Sequence, residues 1–139
     1  MGNSLPHLLD RAELGAALRG FAGRQPRAGM LALHLLNYSH VLATGERFVG
    51  AERRGNDEYI RFYDFERGLV RFNVLHLSWK ADQAVHRFQT TTLFPYTHED
   101  LVNALRESGY AQIELFGGLD FSEFDSLMSD CLLVTARKA

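Results

Sequence analysis

One cysteine, three prolines and no long apolar run define what this sequence does not build. With Cys131 alone no internal disulfide can form, so the fold must rest on a packed core, and the chain suits a reducing compartment. No apolar stretch approaches the ~20 residues that a membrane-spanning helix needs, and the N-terminus lacks the basic-then-apolar order of a secretory leader. A net charge of −2 offers no cationic surface for neutralising phosphates, which argues against a nucleic-acid partner. None of the 12 glycines stands two residues from another. A G-x-G turn that lets a backbone approach a dinucleotide is therefore not encoded, and neither is a phosphate loop or a nucleophile elbow. The six histidines show no close pairing of the kind that holds a metal ion. These features describe a soluble, cytoplasmic protein with no membrane or nucleic-acid partner and no metal.

What is present is ordinary core material. Hydrophobic residues make up 46% of 139 residues, with ten Phe, five Tyr and one Trp, enough for one domain spanning 1–139. Asp10 followed by Glu13 is a helix-start signal, and Leu14, Ala17, Leu18 and Phe21 form an apolar stripe at helical spacing that Gly23 would end. In MLALHLLNY (30–38), Leu31, Leu33 and Leu35 face one way and Met30, Ala32 and Leu36 the other. Both faces are apolar, as in a central parallel strand over 30–37 covered on both sides; a buried helix is the competing reading, but the run is short and ends in Asn37. Residues 39–57 are polar and read as a loop with a short helix. EYIRFYDF (58–65), LVRFNVLHLSW (69–79) and AVHRFQTTTLF (84–94) are rich in aromatic and β-branched residues and are joined by short links. Short links require antiparallel neighbours, so the stretch reads as a three-stranded antiparallel β insert over about 58–94.

The C-terminal third returns to an α/β pattern. Thr97 with Asp100 three residues on signals a helix start, Leu101 and Leu105 mark its buried side, and Gly109 ends it. AQIELF (111–116) and the segment from Cys131 to Ala136 read as strands, with a turn near Ser122 to Ser126 between them. The order is that of an open α/β sheet carrying a β insert. Strand 30–37 finds partners only from the C-terminal end, which leaves its other edge long, apolar and unpaired, a pairing hazard.

Four segments in order carry a resemblance. GNSLPHL (2–8), NYSHVLATG (37–45), FPYTHEDLVNALRESGY (94–110) and CLLVTARK (131–138) resemble the C-terminal half of class I S-adenosylmethionine-dependent methyltransferases, nearest the glycine and sarcosine N-methyltransferase branch. The likeness covers nearly all of this chain and about half of a typical family member. It implies a partial Rossmann-like sheet, strands five to seven of the family fold, with the last strand antiparallel. It implies transfer of a methyl group from S-adenosylmethionine to a small-molecule acceptor. The family's Gly-rich cofactor loop and ribose-binding acid belong to the half not represented, so the resemblance implies weak or no cofactor binding, and no activity, by this chain alone. It would place Asn3, Ser4 and His7 beside the cofactor, with His7, Asn37, Tyr38 and Tyr96 lining the acceptor pocket. Leu36 stands where glycine methyltransferases carry a carboxylate-binding arginine, and leucine makes no bidentate contact, which argues against glycine as acceptor.

Each candidate also has a plainer reading. Asn3 and Ser4 are cap and turn formers, His7 follows a proline and suits a surface, and tyrosines at strand ends commonly pack. Arg61, Arg71 and Asn73 fall on polar faces of adjacent strands. Arg71 among them could meet an anionic acceptor, or the group could form a solvated face with cross-strand pairs. The open edge implies a homo-oligomer or pairing with a separate N-terminal half. The rival to an enzyme is a non-enzymatic interaction module on the same fold.

Overall fold

The computed structural model describes residues 3–139, so Gly2 of the GNSLPHL segment lies outside the described residues. The chain divides into two compact units. The first joins residues up to Thr44 with Pro95–Ala139, and the second is Gly45–Phe94.

The first unit is built on a three-stranded sheet. A short 3-10 turn, Leu5–His7, precedes helix α1 (Arg11–Arg24), then strand β1 (Met30–Leu36) and helix α2 (Tyr38–Thr44). Helix α3 (His98–Glu107), strand β6 (Tyr110–Phe116) and strand β7 (Cys131–Lys138) complete it. The strand order is β1-β7-β6, with β7 antiparallel to both neighbours. Both long helices start where local chemistry dictates. The Asp10 carboxylate accepts the Glu13 N–H at 2.8 Å. Thr97 and Asp100 form a reciprocal capping box, a device worth about 1 kcal/mol. Helix α1 runs through Gly23 to Arg24, because the main chain stays helical until Gln25 closes on the Ala22 carbonyl. α1 packs on α3 and α3 on β6. Leu14, Leu18, Leu101 and Leu105 of the helices and Leu33, Leu35, Leu132 and Val134 of the strands are all buried. No helix among the described residues is long and apolar enough to cross a membrane.

β1 departs from the expectation of a central parallel strand covered on both faces. It lies at the end of its sheet and pairs antiparallel with β7. Only the face carrying Leu33 and Leu35 is buried, and Met30 is 61% exposed. Its apolar composition suits two-sided burial, yet the described residues pack helices against one another and against β6, leaving Met30 and Ala32 open.

The second unit is a four-stranded antiparallel sheet in the order β2-β3-β4-β5, formed by Phe48–Arg54, Asp57–Glu66, Leu69–Lys80 and Gln83–Leu93. The expected three-stranded insert of 58–94 is thus corrected to four strands in a unit of 45–94. The missed strand, β2, carries little apolar signal of its own and is defined by its pairing with β3 from Gly50↔Arg61 to Arg54↔Asp57. Two-residue turns at Arg67-Gly68 and Ala81-Asp82 use positive φ at Arg67, Gly68 and Ala81 and set the register of the hairpins. That register corrects the expected shared polar face. Arg61 sits opposite Val74, whereas Asn73 sits opposite Phe62 and Arg71 opposite Asp64. Arg61 therefore projects on the other side of the sheet from Arg71 and Asn73.

Candidate functional site

Four of the expected residues meet along the free edge of β1 and the turn that precedes α1. Asn3 is the link. Its N–H donates to the His34 carbonyl at 2.9 Å, and its side-chain oxygen accepts the Leu36 N–H at 3.3 Å. In a parallel ladder one residue donates to a carbonyl on the neighbouring strand and accepts from the N–H two residues further on. Asn3 makes that pattern with its amide oxygen in place of its own carbonyl. Its φ of 41° lies in the left-handed region, which asparagine tolerates better than most residues. The same oxygen accepts the Tyr38 hydroxyl at 3.2 Å. Tyr38 is fully buried at the start of α2.

Asn37, just before it, faces a different task. Its side-chain nitrogen donates toward three main-chain carbonyls, Ser129 at 2.8 Å, Ser126 at 2.9 Å and Asp125 at 3.5 Å. Its main-chain N–H donates to the Asp130 carbonyl, and its own carbonyl accepts from His40 and Val41 at the head of α2. Asn37 is 1% exposed and ties the 125–130 loop to the end of β1. His40 reinforces the tie, with Nδ1 at 2.5 Å from the Leu127 carbonyl.

Tyr96 is also fully buried. Its hydroxyl lies against the Leu8 carbonyl and at 2.8 Å from that of Asp10. Burial, with the nearby carboxylates of Asp10, Glu13 and Asp100, pushes its pKa up to about 12. The phenol stays protonated and acts as a donor that pins the segment entering α1. Burial raises the Asp100 carboxyl, but the Thr97 N–H, the Arg11 guanidinium and the Thr97 hydroxyl outweigh it and hold the group below the usual carboxylate range.

Ser4 and His7 occupy the exposed side of the 3-10 turn, Ser4 as its first boundary and His7 as its last residue. The Ser4 carbonyl accepts the His7 N–H at 3.2 Å. Arg71 belongs to the second unit, exposed and 3.1 Å from Glu66. Asn73, read as a polar-face residue, is 1% exposed. It donates to Asp64 at 2.8 Å and accepts from Thr90 at 2.8 Å, while Arg47 also binds Asp64. Sequence reasoning missed Arg47, Asp64 and Thr90. The one signal available for Asp64 and Thr90 was the alternation of polar residues across neighbouring strands, and Arg47, which precedes β2, lies outside that pattern. Among the described residues no group of three or more His, Cys, Asp and Glu could hold a metal ion.

The residues at the β1 edge thus order main chain. Their polar atoms meet main-chain groups and one another, and the exposed groups of the turn are Ser4 and His7. They do not by themselves fit S-adenosylmethionine: no G-x-G turn lies among them, and the Asn3 amide oxygen is engaged by Leu36 and Tyr38.

No family model matches this sequence, and no curated protein matches it. Solved structures match its fold. An S-adenosylmethionine-dependent methyltransferase from Clostridium acetobutylicum is 11% identical with a TM-score of 0.80, covering 99% of this chain and 55% of its own. The CcbJ methyltransferase from Streptomyces caelestis is 20% identical with a TM-score of 0.81, covering 99% and 58%. An amino pentose methyltransferase from Micromonospora echinaspora, involved in calicheamicin biosynthesis and solved with S-adenosylmethionine bound, is 18% identical with a TM-score of 0.73, covering 98% and 55%. The shared property is the fold, and the chain spans little more than half the length of these structures.

Proposed function

We propose that this chain forms the acceptor-side part of a methyltransferase that moves a methyl group from S-adenosylmethionine to a small molecule. The cofactor loop would come from polypeptide outside these 139 residues. The observation that carries the reading is Asn3 on the free edge of β1. A parallel-type rung on the edge of β1 away from β7, an edge that no strand among the described residues takes, in a fold shared with methyltransferases, is where a neighbouring strand of a larger sheet would lie. In the finer form of the proposal, Ser4 and His7 face the cofactor and acceptor, with Asn3 fixing the turn that presents them. Tyr38, Asn37 and Tyr96 hold that turn and the 125–130 loop in place. The Leu36 position disfavours a glycine-type carboxylate acceptor, so the glycine and sarcosine branch supplies the likeness and not the substrate. The catalytic contribution of such a site would be positioning and exclusion of water, since attack on a sulfonium methyl needs in-line approach more than proton transfer.

The test is a calorimetric titration with S-adenosylhomocysteine. The chain alone is expected to give no saturable heat. Co-expressed with the product of the reading frame immediately upstream, it is expected to bind stoichiometrically. Tight binding by the chain alone, or none by the pair, would overturn the proposal.

A further inference from the structure

The two edges of the second unit's sheet are built differently. β2 carries a register shift between Phe48 and Gly50 and a run of charge, Glu52-Arg53-Arg54, with Arg54 2.7 Å from Glu52. Bulges and charges of this kind keep an edge from pairing with another chain. β5 has no bulge and, in place of a run of charge, the single charged residue Arg87. Its pairing with β4 is unbroken from Lys80↔Gln83 to Val70↔Leu93, it contains no proline or lysine, and residues 83–90 are all exposed. Val85 is 66% and Phe88 53% exposed.

The hydrogen-bonding direction of β5 follows from its neighbours. The Trp79 N–H donates to the Asn56 carbonyl, away from β5. Ser78 and Lys80 therefore turn their main-chain groups toward β5, where they meet Val85 and Gln83. The residues between, Ala84, His86, Phe88, Thr90 and Thr92, aim their N–H and C=O groups at the open edge. No strand among the described residues takes them.

We infer that β5 pairs antiparallel with β5 of a second copy of this chain, about a two-fold axis through Phe88. Phe88 is the midpoint of Gln83–Leu93, so this register pairs the whole strand. Ala84 then faces Thr92, His86 faces Thr90 and Phe88 faces Phe88 of the second copy, so each outward residue meets another outward residue. Arg87 falls opposite Gln89, and no charge meets its like. Moving the axis to Arg87 would set the two arginines against each other in a close, non-hydrogen-bonded pair. Moving it to Gln89 would leave the hairpin end unpaired. Phe88 already lies 6.1 Å from Phe62, so the axis joins two such pairs into one aromatic row across the dimer. The partner that fits this edge is thus the chain itself. The inference stands apart from the proposed methyl transfer.

Sedimentation of the full chain tests it. The wild type is expected to sediment at twice the chain mass. Phe88→Lys, which puts a charge on the axis, and His86→Pro, which deletes an outward N–H and leaves the β4 ladder intact, are expected to halve that mass. Val49→Lys on the β2 edge should leave it unchanged. A monomeric wild type, a dimer that survives both β5 substitutions, or a dimer equally lost in Val49→Lys would overturn the inference. Hydrogen exchange on the wild type needs no variant to fold. The amides of residues 84, 86, 88, 90 and 92 should slow by ~10-fold or more between dilute and concentrated protein, while those of β2 do not change. Equal exchange at both concentrations would overturn it as well.

Discussion

Replacing Asn37 by Asp is expected to destabilise the first unit more than any other change of comparable size. The side-chain nitrogen of Asn37 faces the carbonyls of Asp125, Ser126 and Ser129 in a site closed to solvent. A carboxylate there would set an oxygen against three others and leave buried acceptors without a donor. An unsatisfied buried polar group costs ~1–3 kcal/mol, and more when charged, so a loss of at least ~3 kcal/mol is expected, a large share of the ~5–15 kcal/mol that holds a typical domain. Asn37→Ala should lose somewhat less, since it removes the donor without adding a charge. Urea unfolding followed through hydrogen exchange of the β7 amides reads the loss in the relevant unit. The Asp variant should recover stability as the pH falls. A carboxyl among carbonyls has its pKa raised on folding, so its protonated form, itself a donor, is the one the folded state accepts. Wild-type stability in Asn37→Asp would show that the 125–130 loop is held by something else.

Tyr96→Phe is the second large effect. The substitution keeps the ring and deletes the hydroxyl that meets the Leu8 and Asp10 carbonyls. The expected cost is ~1–3 kcal/mol, with faster exchange or cleavage in residues 8–10. The pH dependence separates this role from packing. The Tyr96 pKa is raised to about 12 on folding from an ordinary 10. Its contribution is therefore complete below pH 10 and is lost as the pH climbs through about 12. Tyr63 and Tyr110 are raised by burial too, but they titrate in both proteins. The difference in melting temperature between wild type and Tyr96→Phe should shrink across that alkaline window. A difference that stays constant would count against the hydroxyl as the source.

The parts of this fold that were legible in the sequence are those decided within a few residues. Asp10 with Glu13, and Thr97 with Asp100, announce their helices because a cap is a contact three positions long. Strands β3, β4 and β5 show through their aromatic and β-branched content. β2 did not, because FVGAERR owes its strand conformation to β3 beside it and not to its own preference. The side of the sheet on which Arg61 falls was not legible either. Composition gives the alternation along one strand, but only the register between strands decides which alternate sets share a face. Asn37 could be singled out by resemblance, yet its clamp role was invisible, since its partners are main-chain carbonyls 88 to 92 residues away that carry no sequence signature. Asn3 is the instructive middle case. It was legible as a turn residue, and its place on the edge of β1 emerged only once β1 was seen to end its sheet.

The pairing of Met30–Leu36 with Cys131–Arg137 also sets an order of events in time. The second unit is a run of adjacent hairpins, contacts local in the chain that close quickly. The first unit must bring together strands separated by that entire unit, and loop closure over such a span is slow unless the intervening chain is already compact. Hairpins formed early would shorten the span, and the second unit is then expected to act as a splint for assembly of the first. Pulse-labelled hydrogen exchange during refolding is expected to protect the amides of β3 and β4 before those of β1 and β7, and the reverse order would rule the splint out.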